Sequence, residues 1–598
     1  MQPLNLRAVP LDELLLRRRA LRRQLVARTE LRDIRIAVLG GTTTNELVDL
    51  LEIFLLDGGF RPVFYQSEYG RFYEDAVLEP EVIAEFKPDI VYIHTCVVNI
   101  QRLLPVSCKE ADFTFAVQAE MNRYRAIWTS LNESVKCQII QNNFELPFNA
   151  ILGNLDPVSP GGISRFVNEL NREFAIEAAA NPRLTLQDLA SISARIGLNQ
   201  WFDPERWFSY KIANTVQGSV AIASSLAALI GAMYGRSRKV LVLDLDNTLW
   251  GGVIGDDGPD KILLGRETPI SEAYTAFQEY CLSLRERGVL LAVCSKNEED
   301  VAKQGFAHPD SVLKLEHISA FRANWAPKHE NILAIAKELN LGVDSFVFVD
   351  DNPAERAIVE AQLPEVAVPN VGNEVTKYAS IIESARYFEL LSLGKEDLSR
   401  AKLYQENAQR ANLEQKFADY GEYLDSLEMT AEIRVFNDTY VERIAQLTNK
   451  SNQFNLTTRR YTLAEIEALV HDRSYIGVYG RLTDRFGDNG LVSVVLGRLD
   501  GHLLHFDLWL MSCRVLKREM EIAMLDSIVE RAKERHIQAL AGYFLPTTKN
   551  GMVADHYEKL GFSLQSKDKA TGATIWSLDI TNYAARSRHI RIPEPVHG

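Results

Sequence analysis

The sequence has few cysteines, no excess of positive charge and no long uninterrupted apolar run. Its six cysteines stand at 96, 108, 137, 281, 294 and 513 without a CxxC pair, which excludes a disulfide framework and a zinc site as organising elements. Acidic residues outnumber basic ones by 80 to 66, and a formal charge of −14 excludes a general nucleic-acid binder while leaving room for a local basic patch. No stretch reads as a transmembrane span. The early segment Leu14-Leu-Leu-Arg-Arg-Arg-Ala-Leu-Arg-Arg is amphipathic and lacks a small-residue cleavage site, so a cytoplasmic location is expected. Internal repeats and low-complexity segments are also missing.

What is present is 598 residues with 46% hydrophobic content, enough for three or four packed domains. Residues 1–30 read as an arginine-rich helix with a leucine stripe. From Ile34 strand and helix patterns alternate, beginning with a strand and the turn Gly40-Gly-Thr-Thr-Thr-Asn45, and this implies an α/β domain over 31–235. The polar stretch Tyr234-Gly-Arg-Ser-Arg-Lys239 marks a boundary. A second α/β domain is expected over 236–393, with continuous apolar strands at 240–244, 289–294 and 345–350 that point to a parallel sheet. A charged helical linker at 394–428 leads to a third α/β domain over 429–580, with strands near 475–480, 491–498, 503–510 and 538–544 and a helix near 517–535. Residues 581–598 read as a tail. The fold class is thus α/β and multidomain around a central parallel sheet.

The central domain carries the chemistry. Val240-Leu-Val-Leu-Asp244-Leu-Asp246-Asn-Thr248-Leu-Trp250-Gly-Gly252 is a buried strand that releases two carboxylates at its carboxyl end, where open α/β sheets hold ligands. There Asp244 can attack phosphorus and Asp246 can act as acid and then base, with magnesium offsetting the repulsion between carboxylate and phosphate. The next strand ends at Cys294-Ser295-Lys296-Asn297, where Ser295 can donate to a phosphoryl oxygen. Lys328, in Asn324-Trp-Ala-Pro-Lys328, supplies a cation. The third strand ends in Asp350-Asp351-Asn352-Pro353, adjacent carboxylates that suit an oxygen-only magnesium site. Thr248, Gly251, Gly252 and Asn297 complete the candidates as substrate-binding positions.

This order and spacing resemble the haloacid dehalogenase (HAD) superfamily over about residues 238–375. The resemblance implies Asp244 as the phosphorylated nucleophile and Asp246 as acid/base, with Ser295 and Lys328 gripping the phosphoryl group. Magnesium would be held by Asp244, the Asp246 backbone carbonyl and Asp351, with Asp350 close by. Only about forty residues separate Trp250-Gly-Gly from the next strand, and 33 separate Ser295 from Lys328. Neither gap has room for a large inserted lid, and an uncapped site would admit a bulky partner.

Asp350-Asp-Asn-Pro-Ala-Glu-Arg356, Ser451-Asn-Gln-Phe-Asn-Leu-Thr-Thr-Arg-Arg-Tyr461 and Leu510-Met-Ser-Cys-Arg-Val515 narrow the likeness to the FkbH family, whose HAD domain is of the subfamily IIIC phosphatase type. That resemblance implies dephosphorylation of 1,3-bisphosphoglycerate and loading of the glyceryl unit onto an acyl carrier protein, through its phosphopantetheine thiol, in polyketide-type biosynthesis. A thiolate must then attack the C1 carbonyl. Cys294, beside Ser295, is the first candidate, although neighbours on a strand point to opposite faces. Cys513 is its rival. A plain magnesium-dependent phosphatase and an assembly scaffold with a vestigial site remain as alternatives.

Residues 430–580 resemble the acetyltransferase-like (GNAT) fold, with Arg514-Val-Leu-Lys517-Arg518-Glu519 where coenzyme A enzymes carry a glycine-rich turn. Acetyl-CoA binding in the usual manner is therefore not expected. Lys517 and Arg518 offer instead a contact for a phosphopantetheine phosphate or an acidic carrier helix. The first domain is similar in layout to SGNH hydrolases but lacks their Gly-Asp-Ser nucleophile and Asp-x-x-His dyad, with Trp201-Phe-Asp203-Pro-Glu-Arg-Trp207 in the latter place. Thr42 to Thr44 have no visible base, so a docking role without catalysis is expected.

Overall fold

A computed structural model describes residues 6, 9–28, 31–101, 104–450, 454–547 and 550–593. The chain divides into two compact units, with the break between Ala232 and Met233. In the first unit the arginine-rich helix spans Leu11–Val26 and buries Leu14, Leu21 and Leu25. Five parallel strands follow: β1 (Arg32–Gly40), β2 (Phe60–Gln66), β3 (Ile90–His94), β4 (Gln138–Asn142) and β5 (Leu184–Gln187), in spatial order β2-β1-β3-β4-β5. Tyr124, Trp128, Phe144, Phe166 and Phe174 fill one face of this sheet. The helix Val216–Met233 is long and apolar enough to cross a membrane by length and composition, contrary to the sequence expectation, and 56% of it is buried within the protein.

The second unit holds two sheets. The central one is parallel, in order β8-β7-β6-β9, with β6 (Val240–Leu243), β7 (Leu290–Ser295), β8 (Ile318–Ala323) and β9 (Phe346–Val349). β6 lies between β7 and β9, with Val240 opposite Leu290 on one side and Phe346 on the other. Alternate side chains enter two cores: Leu241, Leu243, Leu291 and Val293 one, and Val240, Val242, Ala292, Cys294 and Phe348 the other. Burial on both faces is why these strands read as unbroken apolar runs. β8 is one of the two edge strands, has a mixed sequence and half-exposed faces, and is absent from the sequence reading.

The third sheet has eight strands, in order β15-β16-β14-β13-β12-β11-β10-β17. They are β10 (Met429–Val435), β11 (Tyr475–Asp484), β12 (Gly487–Asp500), β13 (Leu503–Met511), β14 (Ala539–Phe544), β15 (Ser563–Lys567), β16 (Thr574–Asp579) and β17 (Ile590–Arg591). β17 comes from the expected tail and pairs in parallel with Met429 and Thr430. The linker contains the helices Arg400–Glu414 and Tyr420–Ser426. Its Arg410 reaches the sheet and forms a bidentate pair with buried Asp484 at 2.9 and 2.8 Å.

Candidate active site

The carboxyl ends of β6, β7 and β9 bring the sequence-derived residues together. Asp244 extends β6 by one residue, its N–H bonding to the Val349 carbonyl at 3.0 Å. Lys328 opens the helix Lys328–Leu339 directly after Pro327, which stands outside the helix as its N-cap residue. Its Nζ lies 2.9 Å from Asp244 Oδ1 and 2.5 Å from Asp350 Oδ2, with all three side chains nearly buried. Burial alone would lower the lysine pKa, but Asp244 and Asp350 more than offset it and hold the ammonium charged.

Asp244, Asp350 and Asp351 place one oxygen each within 4.8 Å of the others. Three carboxylates with one ammonium leave a buried surplus of negative charge. Burial, followed by the Asp244 charge, pushes Asp350 up to about 6, and the same two causes raise Asp351. The oxygen-only donor set fits a hard divalent cation such as magnesium. Arg356 clasps the loop from behind by donating to the Asp350 and Asp351 carbonyls at 2.6 and 2.7 Å. Thr248, fully buried, bonds its hydroxyl to the Asp351 N–H at 3.2 Å.

Asp246 is held differently. Its Oδ1 accepts from the Trp250 indole N–H at 2.9 Å and the Ile254 N–H at 3.1 Å, and its Oδ2 accepts from Asn297 Nδ2 at 2.8 Å. The chain turns back to make these bonds through Asn247, whose φ of 55° is the left-handed conformation that asparagine tolerates best. Trp250 is wholly buried against Gly305, where a Cβ would meet its ring at 2.6 Å. Asn297 also bonds Ser295 Oγ at 3.3 Å, so one amide links the Ser295 hydroxyl to the Asp246 carboxylate. Trp250 and Arg356, not singled out from the sequence, thus orient Asp246 and the Asp350–Asp351 loop, and Asn297, expected as a substrate-binding position, also orients Asp246. Neither gap in the chain carries an inserted domain: between Trp250 and β7 lie the helices Ile254–Asp257 and Pro269–Glu286, and between β7 and Lys328 the helix Glu299–Gly305 and β8. Trp325, on the loop after β8, is 68% exposed and donates its indole N–H to Glu298 at 2.8 Å.

No family model and no curated protein matches the chain. Among solved structures, the N-terminal part of the protein BF1531 from Bacteroides fragilis, which contains a phosphatase domain complexed with Mg, is 31% identical with a TM-score of 0.58. That match spans 63% of this chain and 99% of the Bacteroides one. The chain belongs to this phosphatase-domain family. Two local likenesses are the ribosomal-protein-S18-alanine N-acetyltransferase from Escherichia coli, with 12% identity, a TM-score of 0.21 and coverage of 27% of this chain and 99% of that one, and the GNAT domain of S. lividans PAT, with 15%, 0.21, 25% and 90%.

In this member of the phosphatase-domain family several expected site residues do other work. Cys294 is fully buried in the core beneath the helix Lys328–Leu339, and its thiol is pushed up to about 12 by burial. It is a protonated core thiol, because strand alternation sends it away from the face that Ser295 serves. The Cys513 side chain lies outside the described residues. Gly251 and Gly252 shape the loop: a Cβ on Gly251 would strike the Tyr274 ring at 2.7 Å, and Gly252 has a φ of 89°. Thr248 supports Asp351 from within the core.

The C-terminal domain also departs from expectation. Arg518 is buried, donating to Asp484 at 2.9 Å and Asn407 at 2.8 Å, so it cannot meet a phosphate or a carrier helix. Lys517 and Glu519, on either side of it, both adopt left-handed backbone, at φ 65° and 59°. β13 and β14 pair only through Leu503, Leu504 and His505 and then part. The chain fills this opening itself: the Leu456 N–H bonds Trp509, the Met511 N–H bonds the Phe454 carbonyl, and the Leu545 N–H bonds the Leu456 carbonyl. In the first domain, Asp203 caps the helix Pro204–Tyr210 through the Glu205 and Arg206 N–H groups, and Thr42 and Thr44 are buried.

Proposed function

We propose that this protein dephosphorylates 1,3-bisphosphoglycerate and delivers its three-carbon acyl unit to the phosphopantetheine thiol of an acyl carrier protein. The observation that carries the phosphoryl half is the contact of Asp244 with Lys328 beside the Asp350–Asp351 pair, with Asp246 oriented independently by Trp250 and Asn297. Asp244, Asp350 and Asp351 would hold magnesium, which when bound supplies Lewis-acid neutralisation of the phosphoryl oxygens.

Asp244 attacks the C3 phosphorus, forming an aspartyl phosphate as the bond from phosphorus to the C3 oxygen breaks. Asp246 gives its proton to the departing alkoxide. Asp246 then takes a proton from water, which attacks the aspartyl phosphate and releases inorganic phosphate with Asp244 restored. Lys328 holds the Asp244 carboxylate and the phosphoryl group together, and Ser295 donates its hydroxyl to a phosphoryl oxygen. At C1 a thiolate adds to the carbonyl and expels the second phosphate, leaving a thioester. Burial of Cys294 favours direct attack by the carrier's own thiol, and the gaps without an inserted lid suit a bulky partner. The first domain serves as a docking module.

Mass spectrometry of a carrier protein incubated with the enzyme, magnesium and 1,3-bisphosphoglycerate tests this. A glyceryl adduct that disappears with Asp244→Asn is expected. Phosphate release without an adduct would leave a plain phosphatase, and an adduct unaffected by Asp244→Asn would remove the central role of that residue.

A further inference from the structure

A second polar cluster lies on the C-terminal sheet. β13 bulges at Asp507: Leu496 pairs with Leu508 and Gly497 with Phe506, so Asp507 is passed over in the ladder. Its side chain is only 10% exposed, yet it holds two arginines that remain in solvent. Arg459 Nη1 lies 3.1 Å from one carboxylate oxygen and Arg498 Nε 3.8 Å from the other, with 57% and 42% of their side chains exposed. Arg498 stands on β12. Arg459 comes from the loop between the helices Val441–Lys450 and Leu463–His471.

Residues 455–461 of that loop are fastened at several points. Thr457 Oγ1 donates to the Asp507 carbonyl at 2.7 Å, and Asn455 Nδ2 donates to the Arg459 carbonyl at 3.1 Å. Tyr461 packs its hydroxyl against Arg459. Across the sheet, Tyr475 is in register with Arg498 and Arg498 with His505. His505 Nδ1 shares a 2.6 Å hydrogen bond with the Tyr543 hydroxyl. Tyr475 and Tyr543 both lie within electrostatic reach of Arg498 and Asp507. The other carboxylates facing the cluster are Asp500, 3.8 Å from His505 and itself exposed, and Asp472 near Tyr475.

One arginine would suffice to neutralise Asp507. Two, one at hydrogen-bonding distance and one ion-paired at 3.8 Å on different oxygens of a buried carboxylate, exceed its charge by one and present two exposed guanidinium forks among tyrosine hydroxyls, with Asp500 and Asp472 farther out on His505 and Tyr475. This is the donor set that recognises phosphate oxygens. The tyrosine rings add an aromatic surface for whatever the phosphate is attached to.

We propose that Arg459 and Arg498, oriented by Asp507 and flanked by Tyr475 and Tyr543, form a binding site for an organic phosphate ester. This site is separate in residues and in chemistry from the Asp244 centre and does not depend on the reading of that centre.

The test uses the full chain as Asp244→Asn with a chelator, so that no probe is turned over. Isothermal titration with 4′-phosphopantetheine is expected to show binding that weakens at least about tenfold with Arg459→Gln/Arg498→Gln. Pantetheine without its phosphate should bind at least about tenfold more weakly to the parent, and inorganic phosphate should compete. Should the glutamine pair lower the melting point, Arg459→Lys/Arg498→Lys decides: it keeps the charge but loses the forks, and weakened binding at an unchanged melting point supports the site. No binding to the parent, equal binding of pantetheine, or binding unchanged in the arginine variants would overturn it.

Discussion

Raising the pH of the metal-free protein from about 5 to about 8 is expected to destabilise the central domain by roughly 1–2 kcal/mol through Asp350 alone. In the unfolded chain this carboxyl titrates near about 3.9. In the folded protein burial and the Asp244 charge push it up to about 6, against the opposing pull of Lys328. A folded pKa above the unfolded one means that the stability is fully present below the unfolded value and is lost as pH rises through about 6. Linkage across that gap amounts to roughly 3 kcal/mol in all, of which about half is lost between pH 5 and 8. For a domain of this size that is a fall in melting temperature of about 3–5 °C. The assay is thermal unfolding in chelator for the natural protein and for Asp350→Asn, read as the difference between them so that other titrating groups cancel. Saturating magnesium should reverse the slope, because the ionised carboxylates are the form that binds it. A difference that is flat, or that rises with pH in chelator, would refute the placement of Asp350 as a buried carboxyl crowded by Asp244.

Asn297→Leu removes the donor on Asp246 Oδ2, so kcat for phosphate release should fall about ten- to a hundredfold with little change in KM, and the pH profile should shift; an unchanged profile would deny Asn297 its positioning role. Cys294→Ala should leave thioester formation within about twofold and cost about 1 kcal/mol in urea unfolding; abolished transfer in a folded variant would restore the nucleophile reading. Asp484→Asn strands Arg410 and Arg518 in the interior and should cost about 3–5 kcal/mol, seen as an earlier unfolding midpoint. Lys517→Gly should add about 1 kcal/mol by relieving its left-handed backbone, and a lowered melting point would count against that strain.

How far the site was legible follows from which interactions are local. β6, β7 and β9 are buried on both faces, so composition alone marks them as strands, and the carboxylates at 244, 246, 350 and 351 follow as the polar residues that such strands release. Ser295, at the end of β7, follows from the same rule, whereas Lys328 opens the helix after β8 and is legible only from the local string Asn324-Trp-Ala-Pro-Lys328. β8, an edge strand reading Ile-Ser-Ala-Phe-Arg-Ala, lacks that signal and was missed. The second tier was hidden because it depends on how a turn closes: only the left-handed Asn247 brings the Trp250 indole back onto Asp246, and no periodicity records that. Cys294 shows the opposite failure, since adjacency to Ser295 suggested a shared role although the period of two along a strand separates the two side chains. Arg518 looked like part of an exposed basic run because its partners, Asp484 and Asn407, lie 34 and 111 residues away. Charged runs therefore say little about function until their distant partners are known. By the same reasoning Arg459 and Arg498, which share one buried carboxylate and stay exposed, stand out more sharply in the fold than the Lys517-Arg518 pair did in the sequence.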